Sequence, residues 1–145
     1  LERISKDDYY LQIAAAVSAR STCLRKHYGA VIVKDDRIVA TGYNGSPRGE
    51  ANCCDVGVCY CRTHELPINA EAAQHGAQYG SCVAVHAEQN ALINASAQDL
   101  HGATIYLAGY DVTKNCWIEV RVCNICDRMI RNAGIARVVE RTVVR

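Results

Sequence analysis

His86, Glu88, Cys123 and Cys126 are the residues of this 145-residue chain whose types and spacing could do chemistry. One imidazole and two thiolates make three ligands of the kind zinc prefers. Zinc held by three protein groups keeps a fourth position for water, which separates a catalytic site from a closed structural one. Such a zinc lowers the pKa of its water to about 7, giving hydroxide at neutral pH. Glu88, two residues past the histidine, is placed to take the proton from that water and return it to a substrate. A Cys-x-x-Cys pair alone is more often structural or redox-active, and a lone His-x-Glu means little. Cys82 or Cys116 as a fourth ligand would close the site and make it inert. The two motifs together, in this order and each opening a helix, favour catalysis.

The elements that must position these residues are legible in part. Ser5 with Asp8 three residues on has the capping-box pattern, with Ile4 and Tyr9 as its expected hydrophobic staple. Tyr10, Ile13, Ala14 and Val17 then recur at helical spacing. Ser21 to Gly29 reads as a turn carrying Cys23, Arg25, Lys26 and His27, whose cations either face solvent or border an anionic substrate. Ala30–Lys34 and Arg37–Gly42 read as a β-hairpin about Asp35-Asp36. The run from Gly42 to Gly49 is turn-forming throughout, and its glycines would let a backbone pass close to a ligand. Residues 51–85 form the least regular stretch, with a helix expected over 70–79. A helix over 87–97, a strand over 103–108, an irregular excursion over 109–121, a helix over 124–132 ended by Gly134, and a strand over 135–140 complete the pattern.

That order, α-β-β-loop-α-β-α-β, predicts an α/β fold with a mixed sheet and helices on both faces. The closing units imply a right-handed crossover and parallel pairing of the last two strands. The two helices then run in the same direction on one face, so the segments at His86 and Cys123 can meet at one metal. Thiolates at a helix start also gain from backbone N–H groups and the positive end of the dipole.

Bulk properties bound the remaining choices. Half the residues are hydrophobic and 21% are charged, ordinary values for a globular domain, and 145 residues suffice for one core. No apolar run approaches the roughly 18 residues of a membrane span, and no signal-like N-terminus is present. A net charge of +1 gives no global electrostatic case for nucleic acid. Nine cysteines, an odd number, with metal-ligand spacing point to a reducing cytoplasm rather than to disulfides.

His86-Ala87-Glu88 followed by Cys123-x-x-Cys126 resembles the zinc cytidine/deoxycytidylate deaminase superfamily, whose signature is H-x-E with P-C-x-x-C. Within it, the chain is most similar to the deoxycytidylate deaminases. The resemblance runs through Ser21-Thr22-Cys23, Gly29 to Val33, Gly42 to Gly49, Asn52-Cys53, His86 to Ala91 and Ala133-Gly134-Ile135, and so spans nearly the whole chain. It implies a three-layer α/β/α sandwich of the cytidine deaminase type over residues 1–145, and hydrolysis of dCMP to dUMP in pyrimidine nucleotide metabolism. His86, Cys123 and Cys126 would hold the catalytic Zn2+, and activated water would attack C4 of the cytosine. Glu88 would protonate N3 and then assist the departure of ammonia. Asn44 lies at a sugar-contacting position, Ala87 beside it in the substrate-binding set, and Arg25 and Lys26 border the nucleotide's 5′ side. Homo-oligomers, often hexamers, are implied, as is regulation by dCTP and dTTP near Gly42, Tyr43 and Gly45.

One departure is plain: Val122 stands where the signature has proline, which should cost little because the thiolates and carbonyls remain. The excursion through Asp111, Trp117 and Arg121 is longer than in compact relatives and is expected to border the pocket. The cysteine-rich insert at about 51–85 acquires a reading from the resemblance, namely a second, structural zinc. Cys23 and Cys53 match its positions, and Cys59 and Cys82 are the choices to complete it, with Cys54, Cys61, His64 and His75 as alternatives. Such a site contributes folding energy directly, which would explain order in an irregular segment. Two other readings stay open: a deaminase of another cytosine nucleotide, nucleoside or base, and a non-catalytic zinc-stabilised regulatory domain.

Overall fold

Ser5 opens the first helix, α1 (Lys6–Ser18): its hydroxyl accepts the Asp8 N–H at 3.0 Å, satisfying one of the N–H groups a helix start leaves unpaired. The computed structural model describes residues 1–59 and 82–142, so the helix expected over 70–79 lies outside the described residues. Tyr10 and Ala14 are buried and Ile13 and Val17 pack beside them, as the helical spacing predicts. Ile4 and Tyr9 both stay exposed, so no staple closes the helix entry.

Strands β1 (Lys26–Lys34) and β2 (Arg37–Tyr43) form the hairpin, with φ of 50° at Asp35 and 58° at Asp36. Positive φ at both positions is the geometry that matches the strands' right-handed twist. Asp36 accepts from Lys6 Nζ and from the Tyr10 hydroxyl, each at 2.5 Å, which ties the turn to α1. β1 begins earlier than the sequence suggested. Lys26 to Gly29, read as turn, pair with Asp111 to Ala108 of a distant strand, and this long-range pairing extends β1.

After the short α2 (Cys53–Val56) come α3 (Ala87–Asn94) and α4 (Ala97–Leu100). The expected single helix over 87–97 breaks because the Ser96 hydroxyl caps a new one, accepting the Asp99 N–H at 3.2 Å. β3 (Thr104–Asp111), β4 (Cys116–Ile118), α5 (Asn124–Asn132) and β5 (Arg137–Glu140) follow. Thus the excursion over 109–121 contains the end of one strand and the whole of another. β5 starts two residues later than expected, after Gly134 at φ 83° ends α5.

The sheet runs β2-β1-β3, with antiparallel β4 and parallel β5 sharing the far edge of β3. Alternation along the strands separates two cores. Val31, Val33, Tyr106 and Ala108 meet α1, while Ala30, Ile32, Ile105 and Leu107 face Ala87, Ala91, Leu92 and Ile130 of α3 and α5. The architecture is α/β/α about a mixed five-stranded sheet, as expected. Among the described residues no helix is long and apolar enough to cross a membrane.

Two glycines set how closely helices lie on this sheet. A Cβ at Gly29 would fall 2.0 Å from the Ala14 carbonyl oxygen, and one at Gly42 would fall 2.3 Å from Ala91 N and 2.4 Å from the Ala87 oxygen. Backbone cannot yield by such amounts locally, so α3 must lift off β2 if Gly42 gains a side chain. Gly42→Ala should lose about 1–3 kcal/mol. At about 2–4 °C per kcal/mol, calorimetry would show a clear fall in the unfolding midpoint. An unchanged midpoint would show that α3 is not seated by this contact.

Candidate active site

His86 and Cys123 occupy the same structural role: each is the extended N-cap residue of its helix, α3 and α5 respectively. Local chemistry fixes both. The Gln89 side-chain Oε1 accepts the His86 N–H at 2.8 Å, and Cys123 Sγ accepts the Cys126 N–H at 3.5 Å. The chain enters α3 through a two-way bridge, Val85 N–H to Gly45 O at 2.8 Å and Gly45 N–H to Val85 O at 3.2 Å. A Cβ at Gly45 would meet Thr22 Oγ1 at 2.6 Å, so this bridge needs glycine.

The two helix starts meet. His86 Nδ1 lies 3.3 Å from Cys126 Sγ and 3.6 Å from Cys123 Sγ. A tetrahedral zinc with sulfur at about 2.3 Å and nitrogen at about 2.0–2.1 Å would hold such atoms about 3.6 Å apart. The donor set and its spacing therefore fit zinc. Among the described residues this is the group of three ligand atoms all within 4.8 Å of one another.

Burial shapes the titration of His86, Cys126 and Glu88. Desolvation lowers the His86 pKa, favouring the neutral imidazole that ligates metal. Burial pushes the Cys126 thiol far up, and the neighbouring Glu88 and Cys123 add to it. A cation at this point reverses that balance, since a coordinated thiol loses its proton. Glu88 is only 6% exposed. Burial raises its pKa above the usual carboxylate range and the Glu140 charge adds to the effect, against lowering by its own backbone N–H and by Cys126. A carboxyl inclined to hold a proton beside a metal is suited to proton transfer.

A cavity of about 300 Å³ opens over these groups. His86, Ala87, Glu88 and Cys123 line it from the helix starts, Leu107 and Val120 supply apolar wall, and Tyr28 and Asn44 face it from the hairpin. Arg25 and Lys26, both exposed, line it, and Arg121 joins them. Asn44 is buried, its Oδ1 accepting the Tyr28 N–H at 2.8 Å and its Nδ2 donating to the Lys26 carbonyl at 2.9 Å. That leaves one amide hydrogen and one lone pair for a ligand.

Gly42, Tyr43 and Gly45 do not line the cavity. The glycines are sites of close backbone approach, while Tyr43 is exposed and its carbonyl accepts from Asn90 of α3 at 2.8 Å. Of Asp111, Trp117 and Arg121, only Arg121 lines the pocket, together with its neighbour Val120. Asp111 turns inward to accept from the backbones of Thr113 and Lys114, and Trp117 packs under Arg141 at 4.5 Å. Cys23, Cys59 and Cys82 line the cavity, and Cys53 starts α2, held near the Cys23 turn by Cys54 N–H to Thr22 O at 3.2 Å. No three of these four sulfurs come within 4.8 Å of one another. Cys54 is exposed, and Cys61, His64 and His75 lie outside the described residues.

Tyr28, Leu107, Val120 and Glu140 escaped the sequence reading. A usable signal existed for Glu140: ligand sites of parallel units lie beyond the carboxyl ends of the strands, and Glu140 ends β5.

A family model of the cytidine and deoxycytidylate deaminase zinc-binding region matches residues 4–142. The chain is 41% identical over 139 residues to the deoxycytidylate deaminase of Mycobacterium phage D29, covering 96% of each protein. It is 31% identical over 140 residues to the deoxycytidylate deaminase of Schizosaccharomyces pombe, covering 97% of this chain and 38% of that one. Its fold is similar to the crystal structure of dCMP deaminase from the cyanophage S-TIM5 in complex with dCMP and dUMP. The TM-score is 0.62 at 28% identity, over 94% of this chain and 82% of the other.

Removing one sulfur tests the metal centre. Cys126→Ala should lose one zinc ion per chain by atomic emission while circular dichroism keeps its α/β signature, because the helix packs through Ile130 and not only through the metal. Wild-type zinc content in this variant would exclude Cys126 as a ligand.

Proposed function

The chain belongs to the cytidine and deoxycytidylate deaminase family, and from that premise we propose that it hydrolyses dCMP to dUMP and ammonia with the residues of this cavity. The observation that carries the reading is the convergence of His86 Nδ1 with two thiols beside the buried Glu88, at the base of a nucleotide-sized space. Zinc, when bound by His86, Cys123 and Cys126, supplies the Lewis acidity that brings water ionisation near neutral pH. Glu88 takes one proton from the attacking water and delivers it to N3 of the cytosine. It then carries the second proton of that water to the exocyclic amine, so C4 keeps the oxygen and the C4–N bond breaks with release of ammonia. Ala87 contributes backbone at the helix start, and Leu107 and Val120 keep competing water from the base.

Asn44 is held by β1 with a donor and an acceptor to spare, which suits a sugar hydroxyl. Arg25 and Lys26, with Arg121 opposite Glu119 and Glu140, give the phosphate its positive surroundings. Exposed Tyr43 joins the Gly42–Gly49 loop to α3 through Asn90, so an effector such as dCTP or dTTP bound there would act on the helix that bears Glu88. Gln89 contacts Met129 across α3 and α5, and Ile93, four residues on, is 71% exposed. The exposed Ile93 and Met129 side chains support assembly into homo-oligomers. The eight described cysteines are all free, which suits a cytoplasmic setting.

A second, structural zinc completes the reading. Cys23, Cys59 and Cys82 share one cavity wall and Cys53 stands beside the Cys23 turn, a grouping that supports a four-thiolate site. No three of their sulfurs are at bonding separation, so ion binding would draw these four residues together and stabilise that arrangement.

Glu88→Ala should keep zinc but lower kcat on dCMP by about 10²–10⁴-fold, the usual contribution of a positioned proton carrier. Normal deamination by this variant would refute the assigned role. Offered dCMP, CMP, dCTP, deoxycytidine and cytosine in parallel, the wild type should favour dCMP, and a preference for an unphosphorylated substrate would sink the nucleotide assignment. Metal analysis should find about two zinc ions per chain, and Cys23→Ala should drop this to about one and lower the unfolding temperature. A stable wild type with a single zinc would remove the structural site.

A further inference from the structure

Val122 keeps a backbone N–H that the proline of the P-C-x-x-C signature would lack. That N–H is used: it donates to Glu140 Oε2 at 2.7 Å. Glu140 ends β5, so its carboxylate sits at the carboxyl end of the parallel strand pair, on the side where the cavity opens. Its other oxygen lies 4.0 Å from an Arg121 guanidinium nitrogen. Two backbone bonds reinforce the same junction, Arg141 N–H to Leu107 O at 2.9 Å and Val120 N–H to Arg141 O at 3.2 Å. The segment leading into α5 is thereby fastened to β3 and β5 immediately before Cys123.

We infer that Glu140 is a positioning residue for the metal centre, acting through the Val122 N–H to aim Cys123 and Cys126 at His86. The inference rests on the reading of those three residues as zinc ligands. Residue 122 leads directly into the N-cap, and the extended backbone of Cys123 (φ −71°, ψ 161°) sets where its sulfur points. Cys126 follows on the same turn, bound through its own N–H to that sulfur. A proline would restrict this entry covalently by fixing φ near about −65°. Here a short hydrogen bond to a carboxylate restrains the same residue from outside, and bonds to a charged acceptor are among the stronger ones available. Valine in place of proline thus leaves a donor for an acidic side chain eighteen residues downstream. The carboxylate is only a quarter exposed, so water competes poorly for the N–H.

Zinc affinity by chelator competition, kcat and KM on dCMP, and the d–d absorption of the cobalt-loaded protein test this on the full chain. Glu140→Ala should weaken metal binding about 10-fold and lower kcat, the size of effect seen when partners of metal ligands are lost, and shift the cobalt bands. KM should stay within about twofold, because ground-state binding of the nucleotide is not what is lost. Glu140→Gln, whose amide oxygen still accepts, should recover most of both affinity and kcat. Wild-type affinity, kcat and cobalt spectrum in Glu140→Ala would overturn the inference. So would a Glu140→Gln as impaired as the alanine variant, since the acceptor would then not be what matters. Failure of the underlying reading shows differently, as a wild-type protein that holds no zinc.

Discussion

Two helices must present their first residues to a single point, and most of the structure follows from that requirement. His86 caps α3 and Cys123 caps α5, and their ligand atoms stand 3.6 Å apart although the residues are far apart in the chain. Parallel pairing of β3 with β5 makes this possible, because it brings α5 back beside α3 on one face with the same polarity. A helix start is also the place where backbone N–H groups and the dipole favour thiolate over thiol. The fold thus supplies both the convergence and part of the electrostatics.

The depth at which α3 lies decides whether the convergence is accurate. Gly42 lets the helix backbone rest directly on β2, and Gly45 lets the chain before His86 pair with the loop after β2. Asn90 and Asn94 then hold the far side of α3 to the carbonyls of Tyr43 and Thr41, at 2.8 and 2.9 Å. The glycine-rich stretch therefore has a mechanical role toward the catalytic helix that is separate from any ligand it meets. Asn44, in the middle of that stretch, is the exception: it faces the cavity, oriented by two bonds to β1.

Buried acidic and thiol groups crowd the same point, and without a cation they would oppose one another. Burial and mutual repulsion push Cys126 and Glu88 toward their protonated forms. A divalent ion converts this liability into affinity, since it stabilises the thiolates that the interior disfavours.

The sequence alone singled out His86, Cys123 and Cys126 as candidate metal ligands, Glu88 as candidate proton carrier, and the alternation of elements. Those depend on residue types at short spacing: His86 and Glu88 share one helix turn, Cys123 and Cys126 another, and the hairpin turn sits between two β-branched runs. Through resemblance to a family it also singled out Arg25, Lys26 and Asn44, all of which line the cavity. What it missed depends on contacts distant in sequence. The register of β1 on β3 turned Lys26–Gly29 from turn into strand, and the parallel pairing of β3 with β5 set Glu140 opposite Leu107 beside the site. Gly42 looked like a place for backbone to pass close to a ligand and proved to be a seat for α3, because the atoms that forbid its side chain belong to Ala87 and Ala91. Val122 looked like a small loss of rigidity and proved to be a hydrogen-bond donor, because its acceptor arrives from another strand. Ligand identity is local chemistry and can be read along the chain. Where a ligand points is set by packing, and only the folded sheet decides it.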